Sequence, residues 1–133
     1  MRERKLQRVY YVEDDQDIRA LVKMSLERIG HLTVETEPDP FRAIQGIRTF
    51  QPDLILLDWM IPGLDGPSLM QAIRAEHDLR HVPVVFITAK ASTEESNLLA
   101  HIGAAGVIHK PFAPVSLANQ LNDIWQSIEA KST

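Results

Sequence analysis

Apolar and polar positions along the chain alternate between two textures. Short unbroken apolar runs stand at Val9–Val12, Leu32–Val34, Leu54–Leu57, Val84–Ile87 and Val107–Ile108. Runs of that length and branching suit strands buried on both faces. Between them apolar residues return at helical spacing. The first helix reads through Ile18, Leu21, Val22, Met24, Leu26 and Ile29 and stops at Gly30, a good C-terminal residue. The second starts at the Pro38-Asp39-Pro40 punctuation and carries Phe41, Ile44 and Ile47 to about Phe50. A third follows Gly66-Pro67-Ser68 with Leu69, Met70 and Ile73 inward. A fourth begins near Ser92 or Thr93, with Glu94 and Glu95 where acids suit the helix dipole, and ends before Gly103. The last starts around Pro114 with Leu117, Leu121, Ile124, Trp125 and Ile128 on one stripe, which favours the core over a partner contact for Trp125.

Strict alternation of strand and helix predicts an α/β fold with a doubly wound parallel sheet and helices on both faces. Length supports one domain: 133 residues bury a normal core. No internal repeat, linker or low-complexity stretch divides the chain, so residues 1–133 read as a single domain.

In such sheets function gathers outside the carboxyl ends of the strands. The first strand ends in Glu13, Asp14 and Asp15, the third in Asp58, the fourth in Thr88, and the fifth in His109 and Lys110. The second ends in Glu35 and Thr36, with nothing reactive. Carboxylates that dense repel one another unless a cation intervenes. Oxygen-only ligands suit Mg²⁺, which takes one or two carboxylates plus phosphate oxygens. The lysine and the hydroxyl can hold an incoming phosphoryl group, and Asp58 is the natural nucleophile, able to form an acyl phosphate. Asp15 and Asp17 read as cap and first-turn charge of the first helix. Asp65-Gly66 reads as turn chemistry, and His109 as a bystander.

Charge and composition narrow the field. A net charge of −4 offers no global basic field for nucleic acid. The absence of cysteine removes disulfides and thiolate sites and suits a reducing cytosol. The five histidines show no metal-ligand spacing. The apolar run behind the basic N-terminus is too short for a signal peptide, and no stretch approaches membrane-spanning length.

With these residues in view, the chain resembles the receiver domain of two-component response regulators over about residues 7–129. The matching pieces are "YYVEDDQDIR", "PDLILLDWMIPGLDG", "VPVVFITAK" and "GAAGVIHKPF", in order. The resemblance implies a flavodoxin-like five-stranded sheet of order 2-1-3-4-5, a cytoplasmic location, and phosphorylation of Asp58 by a histidine kinase or histidine phosphotransfer protein. It further implies Asp14 as a direct Mg²⁺ ligand and Glu13 as a ligand through water. Asp58 and the backbone carbonyl of Met60 complete the set. It gives Lys110 and Thr88 contact with the phosphoryl oxygens, and a cis bond before Pro111. Output to an unknown downstream protein would pass through the fourth helix, fifth strand and fifth helix, and Met60 and Lys90 would tune the lifetime of the phosphoryl group.

Two departures qualify the resemblance. The switch position on the fifth strand, often Tyr or Phe, is Val107, so a threonine-plus-aromatic relay is not expected. Transcription-factor receivers commonly carry acids where this chain has Ala105 and Gly106, and Leu117 to Ile128 holds no Arg or Lys, so their charged dimer is not expected either. No output domain, enzymatic or DNA-binding, is read. A phosphohydrolase acting through an aspartyl phosphate would want an acid at Met60, and a flavin carrier would want a Gly-, Ser- or Thr-rich loop in place of "EDDQD". The remaining alternative is a degenerate receiver serving as a scaffold without phosphorylation. As an enzyme the chain would at most phosphorylate and dephosphorylate itself.

Overall fold

In the computed structural model, which describes residues 4–89 and 92–132, the strands are β1 (Arg8–Val12), β2 (Thr33–Glu37), β3 (Leu54–Leu57), β4 (Val84–Thr88) and β5 (Gly106–His109). The helices are α1 (Gln16–Met24), α2 (Ala43–Phe50), α3 (Gly66–Ala75), α4 (Thr93–His101) and α5 (Pro114–Ser132). All strand pairings are parallel, in the order β2-β1-β3-β4-β5, the flavodoxin-like arrangement the alternation and the resemblance predict.

Residue alternation along β1 divides the interior in two. Val9 and Tyr11 face a core shared with Val22, Leu26, Leu117, Leu121 and Trp125 of the α1 and α5 side. Tyr10 and Val12 face the other core, with Ala43, Ile47, Leu69, Met70, Ile73 and Leu99. Trp125 is buried and its indole N–H donates to the Arg4 carbonyl at 2.8 Å. Register sets Val12 beside Leu57 and Thr88 beside His109, so the carboxyl ends of the strands come level on one rim.

Polar caps start the helices where the punctuation falls. Asp15 accepts from the Asp17 and Ile18 amides, Asp65 from Ser68, and Asp39 from Phe41. Ser92 and Glu95 close a reciprocal capping box on α4.

Three local expectations are corrected. β2 continues to Glu37 rather than ending at Val34, because Thr36 and Glu37 pair with Tyr11 and Val12 of β1. The first helix loosens into one π turn, Ser25–Ile29, where it packs against α5 and the Ser25 hydroxyl donates to the Pro114 carbonyl. Along this helix Leu21, Met24 and Ile29 stand exposed while Val22 and Leu26 are buried. Phe41 lies in a 3₁₀ turn ahead of α2 and is also exposed. No helix among the described residues is long and apolar enough to cross a membrane.

Candidate functional site

β3 is apolar on both sides and carries its chain to the rim at Asp58, whose carboxyl is almost wholly buried. One oxygen, Oδ1, accepts from the Met60 amide at 3.2 Å. The other, Oδ2, accepts from Lys110 Nζ at 2.6 Å. Lys110 is the residue after β5, held level with β4 because its amide donates to the Thr88 carbonyl at 2.9 Å. The Lys110–Pro111 peptide bond is cis.

The same ammonium donates to Glu13 Oε1 at 3.1 Å, so one lysine bridges the ends of β1 and β3. Glu13 is only 2% exposed. Its Oε1 also accepts from the Tyr11 hydroxyl at 3.0 Å, and its Oε2 from the Asp15 amide at 3.1 Å. Beneath it, Arg19 Nη1 donates to the backbone carbonyls of Glu13 and Asp14 at 3.0 and 3.2 Å, tying α1 to the rim.

Electrostatics follow from two buried carboxyls sharing one cation. Burial first, and then the adjoining Asp58 carboxyl, push Glu13 up to about 7, against the opposing pull of the Asp15 amide and Lys110. Burial opposes the charge of Lys110, but the bonds and charges of Asp58 and Glu13 outweigh it and hold the ammonium above the usual lysine range. Burial and the neighbouring Glu13 charge push the Tyr11 phenol well above its ordinary value.

The site residues expected from the sequence thus meet unequally. Asp58, Glu13 and Lys110 are in direct contact. Asp14 is exposed at the end of β1, and Thr88 is fully buried at the end of β4. The Met60 side chain points to solvent while its amide holds Asp58. Val107 is half-buried, opposite Phe86 and packed against the core on the α2, α3 and α4 side. Asp15 and Asp65 are helix caps, and His109 is exposed. Lys90 lies outside the described residues.

Among the described residues no group of three or more His, Cys, Asp or Glu side chains is spaced to grip a metal. The donor chemistry nevertheless fits a hard divalent cation. Glu13, Asp14, Asp58 and nearby main-chain carbonyls offer only oxygen. The reading of the sequence missed the Tyr11 hydroxyl and the Glu13–Lys110 pair. The first was signalled by spacing, since residues two apart on a strand share a face. The second joins positions 97 residues apart and had no local signal.

Comparisons with known proteins show the family and the fold. Residues 9–122 match the response regulator receiver domain family. The chemotaxis protein CheY-3 of Vibrio cholerae is 32% identical over 121 residues, 91% of this chain and 93% of that protein. The phosphate regulon transcriptional regulatory protein PhoB of Escherichia coli is 36% identical over 121 residues, which is 91% of this chain but 52% of PhoB. Among solved structures, Vibrio cholerae chemotaxis protein CheY4 superposes with a TM-score of 0.81 at 27% identity, covering 90% of this chain and 98% of that one. The BeF3-activated N-terminal receiver domain of Klebsiella pneumoniae RstA gives 0.80 at 31% identity, covering 90% and 99%.

Proposed function

The chain belongs to the response regulator receiver family of two-component signalling, and on that premise we propose that it is a switch set by phosphorylation of Asp58. The observation that carries the proposal is the Lys110 bridge: an ammonium 2.6 Å from Asp58 Oδ2 at the carboxyl end of an apolar strand. A histidine kinase or histidine phosphotransfer protein supplies the phosphoryl group. An Asp58 oxygen forms the new P–O bond as the P–N bond of the donor breaks, and the bonding pair returns to the imidazole. Positioning and charge neutralisation supply most of the rate.

Lys110 moves its ammonium from Asp58 Oδ2 to an oxygen of the incoming group, so the cation that restrains the resting carboxylate becomes the partner of the phosphate. Met60 N keeps the second Asp58 oxygen in place. The Thr88 hydroxyl, buried at the end of β4, takes another phosphoryl oxygen. Asp14, Asp58, the Met60 carbonyl and Glu13 through water would hold Mg²⁺, whose charge would offset that of the phosphoryl oxygens. The added charge biases Thr88 and the loop behind it, and α4, β5 and α5 present the changed face to a downstream protein. Val107 leaves this relay without an aromatic ring. In this reading residues 1–133 act as one receiver domain in the cytoplasm, with no enzymatic turnover beyond gain and loss of their own phosphate.

Intact-mass measurement after incubation with acetyl phosphate tests the proposal. A phosphate adduct should form with Mg²⁺, fail without it, and be absent from Asp58→Asn. If wild type gains no adduct from acetyl phosphate or from a phosphohistidine protein, the scaffold reading takes its place.

A further inference from the structure

Tyr11 enters the site from below, and nothing in the mechanism so far uses it. It is fully buried on β1, with its ring in the α1 and α5 core among Val22, Leu26, Leu54, Leu56 and Ile108. A phenylalanine would fill that slot without a hydroxyl to satisfy. The hydroxyl instead reaches the rim, because Tyr11 and Glu13 lie two residues apart on one face of the strand. There it donates to Glu13 Oε1 at 3.0 Å, the same oxygen that accepts Lys110 Nζ at 3.1 Å. With the Asp15 amide on Oε2 at 3.1 Å, Glu13 is held at both oxygens.

We propose that Tyr11 is a positioning residue for the phosphorylation site, its hydroxyl fixing the Glu13 carboxylate that steers both Lys110 and the water shell of the divalent cation. The inference rests on the reading of Asp58, Asp14 and Glu13 given above. Glu13 Oε1 takes two donors of different origin. Lys110 is needed elsewhere once a phosphoryl group arrives. Tyr11 is anchored in the core and stays. When the ammonium leaves Glu13 for the phosphate, the Tyr11 hydroxyl is the side-chain donor that keeps Oε1 in the same place. An acidic residue acting through water needs that constancy, because its oxygen must meet a hydrogen bond and not a metal ion directly. Donors of this kind behind metal-binding carboxylates commonly change metal affinity by about tenfold or more when removed.

The discriminating experiment is a two-residue cycle on the whole chain. Mg²⁺ affinity is read from the fluorescence of Trp59, beside Asp58, and independently from the rise of melting temperature with MgCl₂. Tyr11→Phe keeps the ring in its slot and should weaken Mg²⁺ binding about tenfold, with a melting temperature in the absence of Mg²⁺ close to wild type. In a Glu13→Ala background the same Tyr11→Phe change should move Mg²⁺ affinity less than about twofold, because the group through which it acts is gone. An equal shift in both backgrounds would mean that the hydroxyl acts on the scaffold at large and would overturn the inference. Unchanged affinity in Tyr11→Phe would overturn it as well, while leaving the phosphorylation reading intact. Absence of Mg²⁺ binding by wild type in both measurements would overturn both.

Discussion

Glu13 and Asp58 are two nearly buried carboxyls that share the ammonium of Lys110, and the burial of Glu13, reinforced by Asp58, has a measurable pH signature. Glu13 holds its proton more tightly when folded, at about 7, than at its ordinary value of 4.5. Between those values the folded state binds more protons than the unfolded one. Its contribution to stability is therefore full below about 4.5 and is lost as pH rises through about 7. In Mg²⁺-free buffer, urea unfolding should show a loss of about 1–3 kcal/mol across that window. Glu13→Gln should flatten the slope, and a slope unchanged by the substitution would refute the assignment. Gly66 is the second residue whose identity the site demands. An added Cβ would overlap the Asp58 carbonyl oxygen and come within 2.7 Å of the Phe86 ring. Gly66→Ala should slow adduct formation from acetyl phosphate by at least about tenfold, as expected for displacement of a reacting group by the order of 1 Å. A rate equal to wild type would show that the loop yields instead.

At the scale of elements, α2 contains a glycine where propensity argues against one. Replacing a mid-helix glycine with alanine ordinarily stabilises by about 1 kcal/mol. Here a Cβ at Gly46 would overlap the Tyr10 hydroxyl, which comes from β1 across the α2 side of the core. Gly46→Ala should accordingly destabilise by about 1–3 kcal/mol. The same change in a Tyr10→Phe background, where the oxygen is gone but the ring Cζ at 2.7 Å remains, should recover part of that loss. Denaturant melts of the four proteins measure it. Equal cost in both backgrounds would place the obstruction in the ring rather than in the hydroxyl. Helix α1 carries a related lesson. Its π turn, Ser25–Ile29, packs closely on α5, where a Cβ at Gly30 would come within 2.8 Å of the Ala118 Cβ. Ser25 and Gly30, at the two ends of that turn, are thus fixed against α5 by contacts between elements.

For the molecule as a whole, the proposed cation couples the site to global stability by mass action. A ligand that binds only the folded chain at a free concentration one hundred times its Kd adds about 2.7 kcal/mol. Thermal melts with and without saturating MgCl₂ should show a rise of melting temperature in wild type and almost none in Asp14→Asn. A full rise in the variant would remove Asp14 from the proposed ligand set. The effect should be global because Asp14 and Asp58 extend from β1 and β3, neighbours at the centre of the sheet and buried on both faces.

The order of strands and helices, the caps at Asp15, Asp39 and Ser92, and the rim on which Glu13, Asp14, Asp58, Thr88 and Lys110 assemble were legible in the chain itself, whereas Asp65, read as turn chemistry, proved to cap α3. Each depends on spacing over a few residues or on the rule that parallel crossovers bring the carboxyl ends of strands together. The four quoted stretches sufficed for the family because their chemistry recurs in order along a known topology. What only packing decided is which of these groups touch. Lys110 lies 97 residues from Glu13 and 52 from Asp58, and no local period encodes an ammonium between them. The same holds for the added length of β2, set by its pairing with β1. It holds too for the π turn Ser25–Ile29, where the first helix meets α5. Periodicity is a property of neighbours in sequence, whereas burial, pairing and the placement of the Tyr11 hydroxyl come from elements that meet only once the sheet has closed its two cores.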